Sequence, residues 1–208
     1  WNITLAPGPK GRFDFHPGQF AFLRIFGAEV TREEHPFTIS SSPTRKDRLA
    51  FTVKESGDFT AKIGRVSPGD TATVDGPYGR FSHVLRGVAA DNLLMIAGGV
   101  GITPFLSMLR FMGDTGDSRA VTLVWGNKTA DDILFRDDVE GFADVDAALF
   151  HVALLDGERR RLDEFQRPVV EHENELVGVV GGLGDFHLLI GGEMLTGHDL
   201  CPFPMRGR

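Results

Sequence analysis

Residues 93–104 read Leu-Leu-Met-Ile-Ala-Gly-Gly-Val-Gly-Ile-Thr-Pro, LLMIAGGVGITP. The first five form a continuous apolar run, as a parallel strand buried on both faces shows. Three glycines follow, and then Thr103 to Met112, where Phe105, Met108, Leu109 and Met112 recur at helical spacing. A strand that breaks into glycines and reopens as a helix suits an anion, because the backbone can approach it closely and the helix N-terminus favours negative charge. The spacing is not the GxGxxG of the dinucleotide fingerprint. A plain Gly-rich turn, with Thr103 as the cap, Pro104 at the first helical position and Gly113 at the C-terminal cap, therefore competes with the ligand reading.

Downstream, Val121 to Trp125 is a second apolar strand, Thr129 to Gly141 a charged segment read as helix, and Phe150 to Leu155 a third strand. Strand and helix in alternation predict a doubly wound parallel sheet. The segment 177–192 carries six glycines among apolar residues and receives no assignment. Glu158-Arg159-Arg160-Arg161 reads as a solvated face or turn, with phosphate binding as the competing reading.

Upstream, the rhythm is that of β structure. The opening WNITL, Gln19 to Phe26, Leu49 to Lys54 and Thr71 to Val74 read as short strands, with Pro17-Gly18 and Pro68-Gly69-Asp70 as turn signals. An antiparallel barrel is predicted, interrupted by one short helix near Phe59 to Val66 that Asp58 or Thr60 would cap. The boundary is expected near Arg86 to Asp91, giving domains at 1–88 and 91–208. A strand opening directly at Trp1 suggests a piece cut from a longer chain.

Bulk composition narrows the function classes. A net charge of −7 argues against a nucleic-acid surface, and no apolar run reaches the ~18–20 residues of a membrane span. The single cysteine excludes an internal disulfide framework, and no CxxC signature points to a metal. Twenty-six glycines exceed the average of about 7%; they fall at punctuated positions, as tight turns and close ligand approach require.

Two further segments carry chemistry. In KESGDFT, Lys54 to Thr60, a strand ends, a glycine permits a tight path and amides at a helix start face an anion; a simply capped helix is the alternative. In HPFTIS, His35 to Ser40, Phe37 suits stacking on a flat heterocycle, Thr38 a ring nitrogen and His35 a phosphate or ribose. A core Phe with surface hydroxyls is the alternative.

PGQF at Pro17 to Phe20, HPFTIS, GDFT at Gly57 to Thr60, DGPYGRF at Asp75 to Phe81 and GGVGITP at Gly98 to Pro104 occur in this order. As an ordered set they resemble the ferredoxin–NADP reductase superfamily, and most of all the dehydrogenase domains of NADPH oxidases and ferric reductases, including bacterial relatives. The resemblance implies an antiparallel FAD-binding β-barrel followed by a doubly wound nicotinamide-nucleotide-binding domain. His35-Pro36-Phe37-Thr38 corresponds to the superfamily's Arg-x-Tyr-Ser flavin motif: Phe37 packs on the isoalloxazine and Thr38 lies near its N5. His35 in place of Arg is the variant of the oxidase and ferric-reductase branch, and neutral His is the weaker anion partner. Ser40 and Lys54 are further candidates for FAD contacts, and Gly57, Asp58, Phe59 and Thr60 for the pyrophosphate cradle. Gly98, Gly99, Gly101, Thr103 and Pro104 are assigned to the nicotinamide nucleotide, NADPH or NADH. Asn127 and Lys128 fall at its adenosine ribose, where Lys128 favours a 2′-phosphate.

The C-terminus departs from the pattern. The family carries Cys-Gly-Pro near the nicotinamide; here Leu200-Cys201-Pro202 lacks the glycine, and the chain ends at Arg208. Cys201 is a candidate catalytic residue with Thr38, against the reading of an ordinary thiol, and a C-terminal truncation is expected. No side-chain acid, base or nucleophile is required. The resemblance implies electron flow from NAD(P)H through FAD to a one-electron acceptor, foremost the haem of a transmembrane domain in the same parent chain, at the cytoplasmic face of a membrane. Two other readings stand beside it: the reductase component of a soluble oxygenase chain, and a degenerate non-catalytic nucleotide-binding module.

Overall fold

The computed structural model describes residues 1–8, 11–27, 30, 32–85, 92–129, 133, 135, 139, 142, 150–155, 178–181, 188–190 and 193–195. In the first half, β1 (Asn2–Leu5) pairs antiparallel with β4 (Leu49–Thr52). The second sheet has the order β3-β2-β5, with β2 spanning Phe20–Phe26, β3 His35–Thr38 and β5 Thr71–Tyr78. A bridge between Ile39 and Phe51 links the two sheets, so the strands follow one another as the expected barrel wall does.

Strand β2 shows why this wall forms. Its residues alternate, with Ala21, Leu23 and Ile25 buried and Phe20, Phe22 and Arg24 half-buried, the period-two pattern of a strand with one core face. The inward set packs with Ile39, Phe51 and Val53. Strand β4 is buried at all four positions, although its alternation predicts one solvated face. The polar face is covered: Thr52 Oγ1 donates to Ser40 Oγ at 3.2 Å. The short helix is a 3-10 helix, Thr60–Arg65, in which only Ile63 is buried. Trp1 lies across it, and a Cβ on Gly64 would sit 2.4 Å from the indole.

The second half is a parallel sheet of order β8-β7-β6-β9, with β6 Asn92–Gly98, β7 Ala120–Gly126, β8 Phe150–Leu155 and β9 Gly178–Gly181. From β6 the chain steps outward through β7 to β8, and β9 then pairs on the opposite side of β6. The carboxyl end of β6 is thus a topological switch point, the place where open α/β sheets bind ligands. The apolar part of 177–192 supplies β9 and the start of a separate antiparallel hairpin, β10 (Leu188–Ile190) with β11 (Glu193–Leu195).

A 3-10 turn, Gly99–Ile102, leads from β6 into α1, Thr103–Thr115. Phe105, Leu106, Met108, Leu109 and Met112 of α1 are buried with Leu93, Met95, Leu123 and Trp125 of the sheet. Each such side chain contributes roughly 1.5–3 kcal/mol by leaving water. Two expected caps are corrected. Gly113 lies inside the helix, and the left-handed terminus is Gly116 at φ 69°, because the helix continues one turn past its last core residue. Thr103 accepts no cap bond; its hydroxyl donates back to the Val100 carbonyl at 3.1 Å.

The halves touch where Gly18 (φ 90°) passes under α1: a Cβ there would meet the Phe81 carbonyl oxygen at 2.2 Å and Met108 Cε at 2.4 Å. Phe81 packs edge-on to Phe105, with ring centroids 5.5 Å apart. The boundary segment 86–91, most of the predicted helix at 129–141, Arg159 to Arg161 and Cys201 lie outside the described residues. Among the described residues no helix is long and apolar enough to cross a membrane, and no cluster of acidic, His or Cys side chains could hold a metal.

Candidate functional site

Two of the sequence motifs meet at the edge of the barrel. The His35 ring stacks on Phe59, with centroids 3.9 Å apart at 29°, and Phe37 lies 6.3 Å from the same ring. His35 Nε2 faces Glu33 Oε2 at 3.1 Å. HPFT and GDFT therefore form one surface. Between them, Gly57 (φ 108°) has no atom within 4 Å of where a Cβ would stand; its left-handed conformation, not crowding, calls for glycine. Thr60 Oγ1 accepts from the Ser56 N–H at 2.6 Å and donates to the Gly57 carbonyl at 3.1 Å, tying this loop together. The cap expected from Asp58 or Thr60 is not made; no side chain caps the 3-10 helix, and Asp58 and Lys54 are exposed beside the loop.

Strand alternation separates Phe37 from Thr38. Phe37 pairs with the buried Ala21, and Thr38 with Phe20 on the outer face. There Phe20, Phe22 and Tyr78 form a ring cluster with centroids 5.6–6.0 Å apart. Pro36 is exposed on that face and Thr38 half-buried. Strand β3 is the outer strand of its sheet, so a flat ring laid along its free edge could meet Phe37 from one face and Thr38 from the other. Ser40 does not join this surface. It is fully buried, its hydroxyl donating to the Ala50 carbonyl at 3.2 Å.

The second cluster stands at the carboxyl end of β6. Gly99 is left-handed (φ 49°) with open space at its Cβ position. Its carbonyl accepts from the Trp125 indole at 2.9 Å, and Trp125 is fully buried, so the end of β7 braces the glycine turn. Two residues on, Asn127 is 8% exposed, yet both atoms of its amide lack a hydrogen-bond partner. Leaving such a group unmet costs roughly 1–3 kcal/mol. Lys128 beside it is exposed.

Both surfaces fit the groups that the sequence implies. An open left-handed glycine beside an unmet buried amide, at a switch point, suits a nucleotide. An aromatic strand edge next to an open glycine loop suits FAD. The spacing of motifs does not single out Trp125, which reads as an ordinary core residue.

Comparison with known proteins agrees in both halves. Residues 4–82 match the family of FAD-binding domains, and residues 95–195 match the oxidoreductase NAD-binding domain. The chain thus carries an FAD-binding domain match followed by an NAD-binding domain match, and its fold is the ferredoxin–NADP reductase-like one. Among sequence relatives, the reductase component of propane 2-monooxygenase from Mycolicibacterium goodii is 37% identical over 145 residues, 66% of this chain and 39% of that protein. The electron transfer component of 2-halobenzoate 1,2-dioxygenase from Burkholderia cepacia is 37% identical over 147 residues, 68% of this chain and 41% of that protein. The chain spans about two fifths of the length of these relatives. Among solved structures, the cytochrome b5 reductase domain of Ulva prolifera nitrate reductase superposes with a TM-score of 0.68 at 19% identity, over 85% of this chain and 79% of that one.

Proposed function

We propose that this chain is the FAD- and NAD(P)H-binding part of a reductase component that passes electrons to an oxygenase or a similar protein partner. The carrying observation is the ordered pair of domain matches in a chain whose sequence relatives are reductase and electron-transfer components. The sequence alone pointed first to a membrane haem as acceptor. The named relatives favour a protein acceptor instead.

Bound FAD supplies the conversion between two-electron hydride uptake and one-electron release. The chain's residues bind and orient. The free edge of β3 holds the ring system, with Phe37 against it and Thr38 at its polar edge. Gly57 to Thr60, with Lys54 nearby, receives the pyrophosphate, and His35, carried by Phe59, faces it as a weak anion partner. The Gly98–Gly101 turn, with Thr103 and Pro104 opening α1, receives the nicotinamide nucleotide, while Asn127 and Lys128 take its ribose. Cys201 is assigned to the nicotinamide by its likeness to Cys-Gly-Pro. The domains divide at 1–88 and 91–208.

The test is direct. The 208-residue chain, loaded with FAD, should lose its visible flavin absorbance under anaerobic NADH or NADPH and re-oxidise with a one-electron acceptor. A chain that takes up no FAD would sink the reading; flavin that never bleaches would favour a nucleotide-binding module without catalysis. A second reading, electron delivery to haem in a transmembrane domain, rests on His35 standing where Arg is usual. Apolar spans with paired histidines encoded ahead of Trp1 would decide for it.

A further inference from the structure

Helix α1 turns three polar residues, Ser107, Arg110 and Asp114, toward the barrel at i, i+3 and i+7, hence on one face. All three grip the segment that follows HPFTI. Ser107 Oγ donates to the Ser41 carbonyl at 2.7 Å. Arg110 Nη1 donates to the Ser40 carbonyl at 2.7 Å. Asp114 accepts from Thr44 Oγ1 and pairs with Arg45 Nη2 at 3.3 Å. Ser40, Ser41 and Ser107 are buried, at 0%, 5% and 0% exposure.

The same serines are fastened to the barrel from the other side. The Ser40 N–H donates to the Ala50 carbonyl at 2.8 Å, and Ser41 Oγ accepts from the Ala50 N–H at 3.1 Å. The run of hydroxyls is therefore a joint, gripped by β4 below and by α1 above. Its position matters. Ser40 is two residues from Thr38, about 7 Å of extended chain. Ser107 is one helical turn from Thr103, about 6 Å along the axis. Among the described residues this joint is a hydrogen-bonded connection between the flavin edge and the glycine turn.

We propose that Ser107 and Arg110 are positioning residues for hydride transfer: by clamping α1 onto the Ser40 and Ser41 carbonyls they set the separation of the Thr38 strand and the Gly98–Thr103 turn. The inference rests on the function proposed above. Reacting atoms must come within about 3–3.5 Å, and a displacement of about 1 Å costs roughly a hundredfold in rate. A guanidinium-to-carbonyl bond is charge-assisted and short, so it defines geometry more sharply than apolar packing does.

The experiment compares the FAD-loaded chain with S107A, R110L and R110K. At saturating nucleotide, the limiting rate of anaerobic flavin reduction should fall about tenfold or more in S107A and R110L. Flavin retention and the half-saturating nucleotide concentration should stay as in the parent. R110K, which keeps a cationic N–H donor able to reach one carbonyl, should recover most of the rate. Hydrogen exchange should quicken in 38–45 and 103–110 of R110L and not in β7. An unchanged rate with unchanged exchange would overturn the proposal, as would a rate loss that merely tracks loss of flavin. If the parent's flavin is reduced by neither nucleotide, the oxidoreductase reading fails by itself. The exchange comparison then decides the clamp alone: quickening confined to the joint supports it, and no change in R110L or S107A overturns it.

Discussion

At the scale of single residues, Asn127 shows how a site can oppose stability. Its amide is buried without a partner, an arrangement that a bound nucleotide could satisfy. Asn127→Leu replaces it by an apolar group of similar shape. Thermal unfolding of the free chain should therefore rise by about 2–4 °C for each kcal/mol relieved, while titration with NADPH or NADH should show about tenfold weaker binding. Loss of stability together with unchanged nucleotide affinity would contradict the role given to this side chain. On the flavin side, Phe37→Ala removes one of the two groups that border the β3 edge. Gel-filtered protein should then retain less FAD, and Thr38→Ala should slow flavin reduction more than it weakens retention. The His35 ring stacks on Phe59 with centroids 3.9 Å apart, so it serves as part of a wall beside the proposed anion contact.

At the scale of elements, two glycines separate conformation from ligand access. Gly116 ends α1 at φ 69° with open space around it, and Gly99 turns at φ 49°, also in open space. Alanine at either position pays only the left-handed penalty, about 1 kcal/mol, so both variants should lose a similar few degrees in a thermal melt. Only Gly99→Ala puts a methyl group at the switch point, and only it should lower nucleotide affinity. Equal affinity in the two variants would remove the glycine turn from the site. The existence of these elements was legible beforehand. The Leu93–Ala97 run, the Phe105 to Met112 spacing and the Phe150–Leu155 strand lie where expected, because long apolar periodicities reflect burial directly. The helix ends were not. Gly113 and Gly116 differ in backbone angle, which three-residue spacing does not encode.

At the scale of the whole molecule, the junction carries a pH dependence. His83 is 9% exposed, neither ring nitrogen has a partner, and its ring packs on Phe111 at 6.0 Å. Burial foremost, helped by the Arg119 cation and opposed by Asp117, lowers its pKa from 6.5 to about 4. The unfolded chain thus takes up a proton near pH 6.5, while the folded chain does so only near 4. Between these values the unfolded state binds more protons, so stability is complete above pH 6.5 and is lost as the pH falls toward 4. The loss is on the order of 3 kcal/mol. Urea midpoints measured across that window should fall for the parent and less so for His83→Phe; parallel curves would show that His83 is not the titrating group.

The sequence by itself determined the succession of a β half and an α/β half, the glycine turn after a buried strand, and the candidate flavin motif. Each of these is a local pattern of burial period or backbone freedom, which the chain states in consecutive residues. Tertiary structure alone decided what the serines after HPFTI bond to. It put Thr38 and Phe37 on opposite faces of an edge strand, set Trp125 against the Gly99 carbonyl, and left the Asn127 amide unmet. It also laid Ser107 and Arg110 on carbonyls 66 and 70 residues away along the chain. Such pairings depend on how two separately formed sheets dock, and a hydroxyl or guanidinium carries no mark in sequence of the distant carbonyl it will meet.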